Sequence, residues 1–135
     1  MDSYLLDTSA IVTLRDDEEG ADRVASLLKK ASSGSITVYV SFMSFMELFY
    51  CLWREEGKEA ALKGYLELKM LPLHRVDLSE PLLLLAGEIK ATHSLSLADS
   101  WIAATALEKR ATLIHKDPEF NQLKGRIETE ALPYK

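Results

Sequence analysis

The sequence predicts an α/β protein, a three-layer α/β/α sandwich around a central, mainly parallel sheet of about five strands. Two observations carry this. Short runs rich in apolar and β-branched residues alternate with longer helical stretches, the order expected of strand–helix–strand units. The runs are also apolar at nearly every position instead of alternating, as suits strands covered on both faces.

The first strand is 3–6 (SYLL), ending at Asp7. Helices are expected at 10–14 and 21–31, and Gly34 stands where the second should stop. Residues 36–40 (ITVYV) form the second strand, followed by helices at 44–56 and 59–70 with Gly57 as the break between them. A weaker strand lies at 73–76. Ser79 then precedes Pro81, a residue tolerated in a first helical turn, so a helix is expected over 81–92. Ser96 opens another at 97–109, residues 112–114 (TLI) return to the sheet, and 126–132 supplies a last edge strand. The acidic run 16–19 (DDEE) reads as a solvated turn.

The 135 residues suit one domain, 1–135, with neither internal repeat nor low-complexity segment. No apolar run reaches the ~20 residues of a membrane span, since Ser44 and Glu47 interrupt the most apolar stretch. The first residues lack the basic-then-apolar order of a secretory signal, and the lone Cys51 has neither a disulfide mate nor zinc-ligand neighbours. A soluble, cytoplasmic protein without a membrane role is expected. The net charge of −5 opposes bulk electrostatic binding of nucleic acid. A nucleic-acid role therefore requires a metal ion to reverse the sign locally.

Four carboxylates need explaining. Asp7 follows the first strand, at the sheet edge where open parallel sheets bind ligands, and Asp117 holds the corresponding place after 112–114. Each is also a good helix cap, and Asp117-Pro118-Glu119 has the ideal order for one. Glu47 lies within FMSFMELFYCLWR (42–54), apolar nearly all round. Its polar exceptions Ser44, Glu47, Cys51 and Arg54 are spaced i, i+3, i+7, i+10 along one helix face. A Ser44–Glu47 capping box is the alternative, although Phe42 and Met43 already look helical. Asp99 sits in the first turn of the 97–109 helix, where the helix dipole alone favours an acid by ~0.3–1 kcal/mol.

Local capping explains each acid separately; an α/β wrap would also bring them together. Converging carboxylates cannot all remain ionised without a counter-charge. Mg²⁺ or Mn²⁺, hard cations that prefer oxygen ligands, would supply it, and an all-carboxylate site of this kind handles phosphates. Histidine and cysteine ligands typical of zinc are missing from these positions.

The segments LLDTSAI (5–11), SFMEL (44–48), SLADSWIAATAL (96–107) and HKDPEF (115–120) together resemble the four acidic motifs of PIN domains. Their order, the separations of 40, 52 and 18 residues between acids, and the chain length are similar to the VapC-type toxin branch of toxin–antitoxin pairs. The resemblance implies that Asp7, Glu47, Asp99 and Asp117 are metal-binding catalytic acids, with Thr8 and Ser9 steadying the first. It implies Mg²⁺ or Mn²⁺ dependence, endonucleolytic cleavage of RNA, a homodimer and a cognate antitoxin protein. One departure is His115, where relatives carry Thr or Ser; it is expected either to hydrogen-bond Asp117 or approach RNA, or to be a strand-end histidine without a catalytic role. Arg54 is the expected phosphate contact, and Phe42, Phe45, Phe49, Met43, Met46 and Trp101 are expected in the core or a dimer surface.

Rival readings are weaker. A dehalogenase-type phosphatase needs a second Asp where Ser9 stands, and a receiver domain needs paired acids after the first strand. An RNA-processing PIN nuclease without a toxin role, or an inactive PIN-fold binding module, are the alternatives within the family.

Overall fold

The computed structural model describes residues 2–134. Five strands, β1 (Ser3–Leu6), β2 (Thr37–Ser41), β3 (His74–Val76), β4 (Thr112–His115) and β5 (Thr129–Ala131), form one sheet in the order β3-β2-β1-β4-β5. Every adjacent pair is parallel. The helices are α1 (Thr8–Arg15), α2 (Ala21–Ser32), α3 (Phe42–Glu56), α4 (Lys58–Met70), α5 (Glu80–Thr92) and α6 (Leu97–Lys109), and a 3₁₀ helix spans Pro118–Leu123.

Side chains leave alternate faces of the strands and bury two separate cores. On one face Leu6, Val38, Val40 and Ile114 meet α1 to α4 through Ile11, Leu27, Phe45, Leu48 and Leu68. On the other, Leu5 and Leu113 meet α5 and α6 through Leu82, Ile89 and Ile102. The expected three-layer sandwich is therefore present. Small residues let α6 approach the sheet: Ala103, Ala104 and Ala106 are fully buried.

Boundaries follow local chemistry. Gly57 ends α3 with φ +97°, a conformation that costs glycine little. Ser79 and Ser96 cap α5 and α6 by accepting the N–H groups of Leu82 and Asp99. The helix bearing Glu47 starts earlier than expected. Ser41 is its cap, through the Met43 N–H at 3.1 Å, so Ser44 and Glu47 lie inside α3 and make no capping box. Among the described residues, no helix is long and apolar enough to cross a membrane.

Candidate active site

The strand order reverses between β1 and β4, and the acids gather at the carboxyl edge there. Asp7 follows Leu6 and continues the ladder, its N–H donating to the Ile114 carbonyl at 3.1 Å. Its carboxylate then caps α1. Oδ1 accepts the Ala10 N–H at 2.8 Å and the Ser9 hydroxyl at 2.6 Å. Only 4% of Asp7 is exposed. Burial pushes its carboxyl up to about 7; the bonds from Ser9 and Ala10 pull down, and the charges of Asp99 and Asp117 add to the rise.

Glu47 arrives from the second turn of α3. Its Oε1 accepts the Thr8 hydroxyl at 2.6 Å, and Thr8 Oγ1 also stands 3.0 Å from the buried Ser44 Oγ. Thr8 therefore ties the first acidic turn to the α3 acid. Asp99, in the first turn of α6, is pushed up to about 6, first by burial and then by the charge of Asp117 and a carboxyl–carboxyl hydrogen bond with it. The Ser96 bond opposes the rise and the Glu47 charge reinforces it. Asp117 caps the 3₁₀ helix through the Glu119 N–H at 2.9 Å.

All four acids line one open cleft of about 830 Å³, together with Thr8, Ser9 and Ser96. The cap and the site are thus not competing roles. The hydrogen bonds to Asp7 fall on Oδ1 and that to Glu47 on Oε1, so neither carboxylate is engaged through both oxygens by these bonds. Among the described residues, no three acids, histidines or cysteines already stand in an arrangement that could hold a metal ion.

The structure narrows the alternatives left open for His115. The residue is fully buried, so it does not approach a ligand in the cleft. Its Nδ1 accepts the Asp117 N–H at 3.0 Å, and its ring packs edge-on to Phe120 at 5.2 Å. The interaction with Asp117 is there, but through the backbone N–H. Arg54 is exposed at the far end of α3, outside the cleft lining, with its guanidinium 5.1 Å from the Tyr50 ring centroid. The cationic side chain lining the cleft is instead Lys116. Its Nζ lies 3.4 Å from Glu18 Oε1 and its backbone N–H donates to Ser9 Oγ at 3.0 Å. Glu18 also lines the cleft, so the acidic run is not uniformly a solvated turn. Tyr134 completes the omissions, lining the same cleft from the segment after β5.

Fold and cleft together define an α/β protein with an acidic site at the carboxyl edge of a parallel sheet. The chain belongs to the PIN-domain family, whose pattern matches residues 4–126. No curated protein matches it by sequence. Among solved structures it is similar to VapBC2 from Rickettsia felis bound to a promoter DNA fragment, with TM-score 0.76, 20% identity, and 97% of this chain and 99% of that one covered. DNA-bound VapBC from Salmonella typhimurium gives TM-score 0.75 at 22% identity, covering 97% and 98%. VapC20 from Mycobacterium tuberculosis, a sarcin–ricin-loop-cleaving toxin, gives 0.69 at 18%, covering 93% and 97%. The architecture is thus the VapC-like form of the PIN fold.

Proposed function

We propose that this protein is a Mg²⁺- or Mn²⁺-dependent endoribonuclease and the toxin of a cytoplasmic toxin–antitoxin pair. One observation carries the reading: acids from four separate elements line a single cleft, where burial raises the carboxyls of Asp7 and Asp99. Carboxyls pushed up by burial to about 7 and about 6 suit a divalent cation, which would take the protons' place.

Asp7, Glu47, Asp99 and Asp117 would hold the ion, an all-oxygen donor set of the kind hard cations take. Such an ion, when bound, supplies Lewis acidity toward a phosphate oxygen and water. The chain's own residues do the rest. Thr8 holds Glu47 by one oxygen and Ser9 holds Asp7 by one oxygen, and the Ser9 bond favours the ionised Asp7 carboxylate a cation needs. Lys116 faces the cleft as the cation for the RNA backbone, the role assigned by sequence to Arg54.

The toxin reading draws on the VapBC and VapC20 structures that share the fold, in which the chain's likeness is to members of toxin–antitoxin systems. Two exposed apolar rows support partners: Met46, Tyr50 and Trp53 on α3, and Leu62, Leu66 and Met70 on α4. Such rows suit a second copy of this chain and a cognate antitoxin.

The test is cleavage of single-stranded RNA by purified protein with Mg²⁺ or Mn²⁺. Asp99→Asn should lose cleavage while keeping a native circular dichroism spectrum, because Asn retains the shape and loses the charge. Wild-type cleavage by a folded Asp99→Asn protein defeats the site. Expression in a bacterial host without a partner should arrest growth, and Glu47→Gln should relieve it. Soluble wild-type protein that cleaves RNA in vitro yet is harmless in the host favours an RNA-processing role over a toxin.

A further inference from the structure

The acids and Lys116 address a phosphate backbone and leave the bases of an RNA unaddressed. Tyr134 is the aromatic side chain that lines the same cleft as the acids, and it is 46% exposed. The other four of the chain's five tyrosines each have a ring partner: Arg23 over Tyr4, Lys109 over Tyr39, Arg54 over Tyr50, and Phe45, Phe49 and Lys69 around Tyr65. Among the described residues, the Tyr134 ring has no aromatic or cationic partner.

The backbone that delivers this ring is fixed. Leu132 is 3% exposed in the core, and its N–H donates to the His115 carbonyl at 2.7 Å. Pro133 restricts the next φ. Both residues lie against Gly20, where a Cβ would come within 3.2 Å of Pro133 Cδ and 3.3 Å of Leu132 Cβ. Tyr134 and Asp117 are also registered to one residue, since His115 accepts the Leu132 N–H on its carbonyl and the Asp117 N–H on its ring. An anchored approach ending in an unstacked, half-exposed ring in the same cleft as the acids is the form of a stacking platform. The backbone is anchored up to Pro133 before a ligand arrives, which lowers the ordering cost of binding.

We propose that Tyr134 binds one unpaired nucleobase of single-stranded RNA by stacking, next to the phosphate held at the acids. The proposal rests on the nuclease reading above. Stacking uses the π-face and not the hydroxyl, and the base it accepts must be unpaired.

The experiment measures fluorescence anisotropy of a labelled single-stranded RNA decamer in the presence of Mn²⁺, with Asp99→Asn as the common background to prevent cleavage. Tyr134→Ala and Tyr134→Leu should weaken binding about tenfold, within the range measured for loss of one base–aromatic stack, while Tyr134→Phe stays within about twofold. A series of decamers with one abasic position moved along the strand supplies the second arm. One position should lose affinity by the same factor when Tyr134 is present and lose nothing in the Tyr134→Ala protein. Equal binding by the Leu and Phe variants, or an abasic penalty that ignores residue 134, overturns the proposal and leaves the nuclease reading standing. Absence of RNA binding by the folded Asp99→Asn protein, joined to absence of cleavage by wild type, removes both. Circular dichroism of each variant separates loss of stacking from loss of fold.

Discussion

The Asp117 N–H donates to Nδ1 of His115, two residues earlier, at 3.0 Å, and this bond sets the direction in which the chain leaves β4. A serine or threonine hydroxyl accepting the i+2 N–H makes the same turn. The imidazole makes this turn with a larger acceptor whose ring also fills the core beside Phe120. Because Nδ1 accepts, the proton is on Nε2, and Nε2 is buried without a hydrogen-bond partner among the described residues. Burial accordingly pushes the imidazole below its ordinary range, against the pull of the Asp117 charge.

Substitutions can separate the acceptor from the ring. Asn places its carbonyl oxygen close to where Nδ1 stands, whereas Gln extends toward the Nε2 position and Leu offers no acceptor. We expect His115→Asn to retain Mn²⁺ binding within a few fold, at some cost in packing. His115→Leu leaves the Asp117 N–H unsatisfied, about 1–3 kcal/mol, and should weaken Mn²⁺ binding further than Asn does. Calorimetric titration with Mn²⁺ reads the order. Leu binding Mn²⁺ more tightly than Asn would show that the ring acts by packing alone.

The raised carboxyls predict how the metal-free protein responds to pH. Asp7 and Asp99 titrate at about 7 and about 6 when folded, against 3.8 as the reference for each. The folded state therefore binds more protons than the unfolded chain between about 4 and 7, and stability rises as pH falls through that window. His115, with its pKa lowered, acts in the opposite sense below 6.5, so the cluster is best isolated by difference. In EDTA, Asp99→Asn should melt above wild type at pH 8, and the gap should narrow toward pH 5 as wild type gains its protons. Mn²⁺ at a hundredfold excess over its dissociation constant should stabilise wild type by about 2.7 kcal/mol and close or reverse the gap at pH 8. If the acids were caps alone, Asp99→Asn would melt lower at every pH and Mn²⁺ would move neither curve.

Much of the fold was legible because its signals are local. Residues 3–6 and 97–109 were read with the bounds the structure gives, the second because Ser96 caps it and alanines run through it. The start of α3 was read two residues late, since Ser44 has the chemistry of a cap but Ser41 makes the bond. The four acids were legible as motifs, and their arrival in one cleft follows from the parallel topology. What escaped is non-local. Lys116 meets Glu18 across 98 residues of chain, and no spacing rule announces such a pair. The last edge strand was read at 126–132, but its place beside β4 and the contact of Leu132 and Pro133 with Gly20, which precede Tyr134, are not visible in the residues around it. His115 was legible as a departure, but its burial was decided by the Phe120 core.

The Ser9 hydroxyl offers the last test, because it joins two acidic turns by opposite ends. It donates to Asp7 Oδ1 at 2.6 Å and accepts the Lys116 N–H at 3.0 Å. The bond to Asp7 lowers a carboxyl that burial otherwise raises. Ser9→Ala removes that stabilisation of the charged form, so the Asp7 carboxyl should rise further and compete more strongly with the metal for its proton. It also leaves the Lys116 N–H without its acceptor, at a cost of about 1–3 kcal/mol. Melting alone would not distinguish these effects, but metal binding does. Mn²⁺ affinity of Ser9→Ala should fall most at pH 6 and recover toward wild type by pH 8.5, where Asp7 is ionised in both proteins. Ser9→Thr keeps the hydroxyl and should follow the wild-type profile. A loss of affinity by Ser9→Ala that is uniform across pH would mean the hydroxyl matters only for the geometry of the turn.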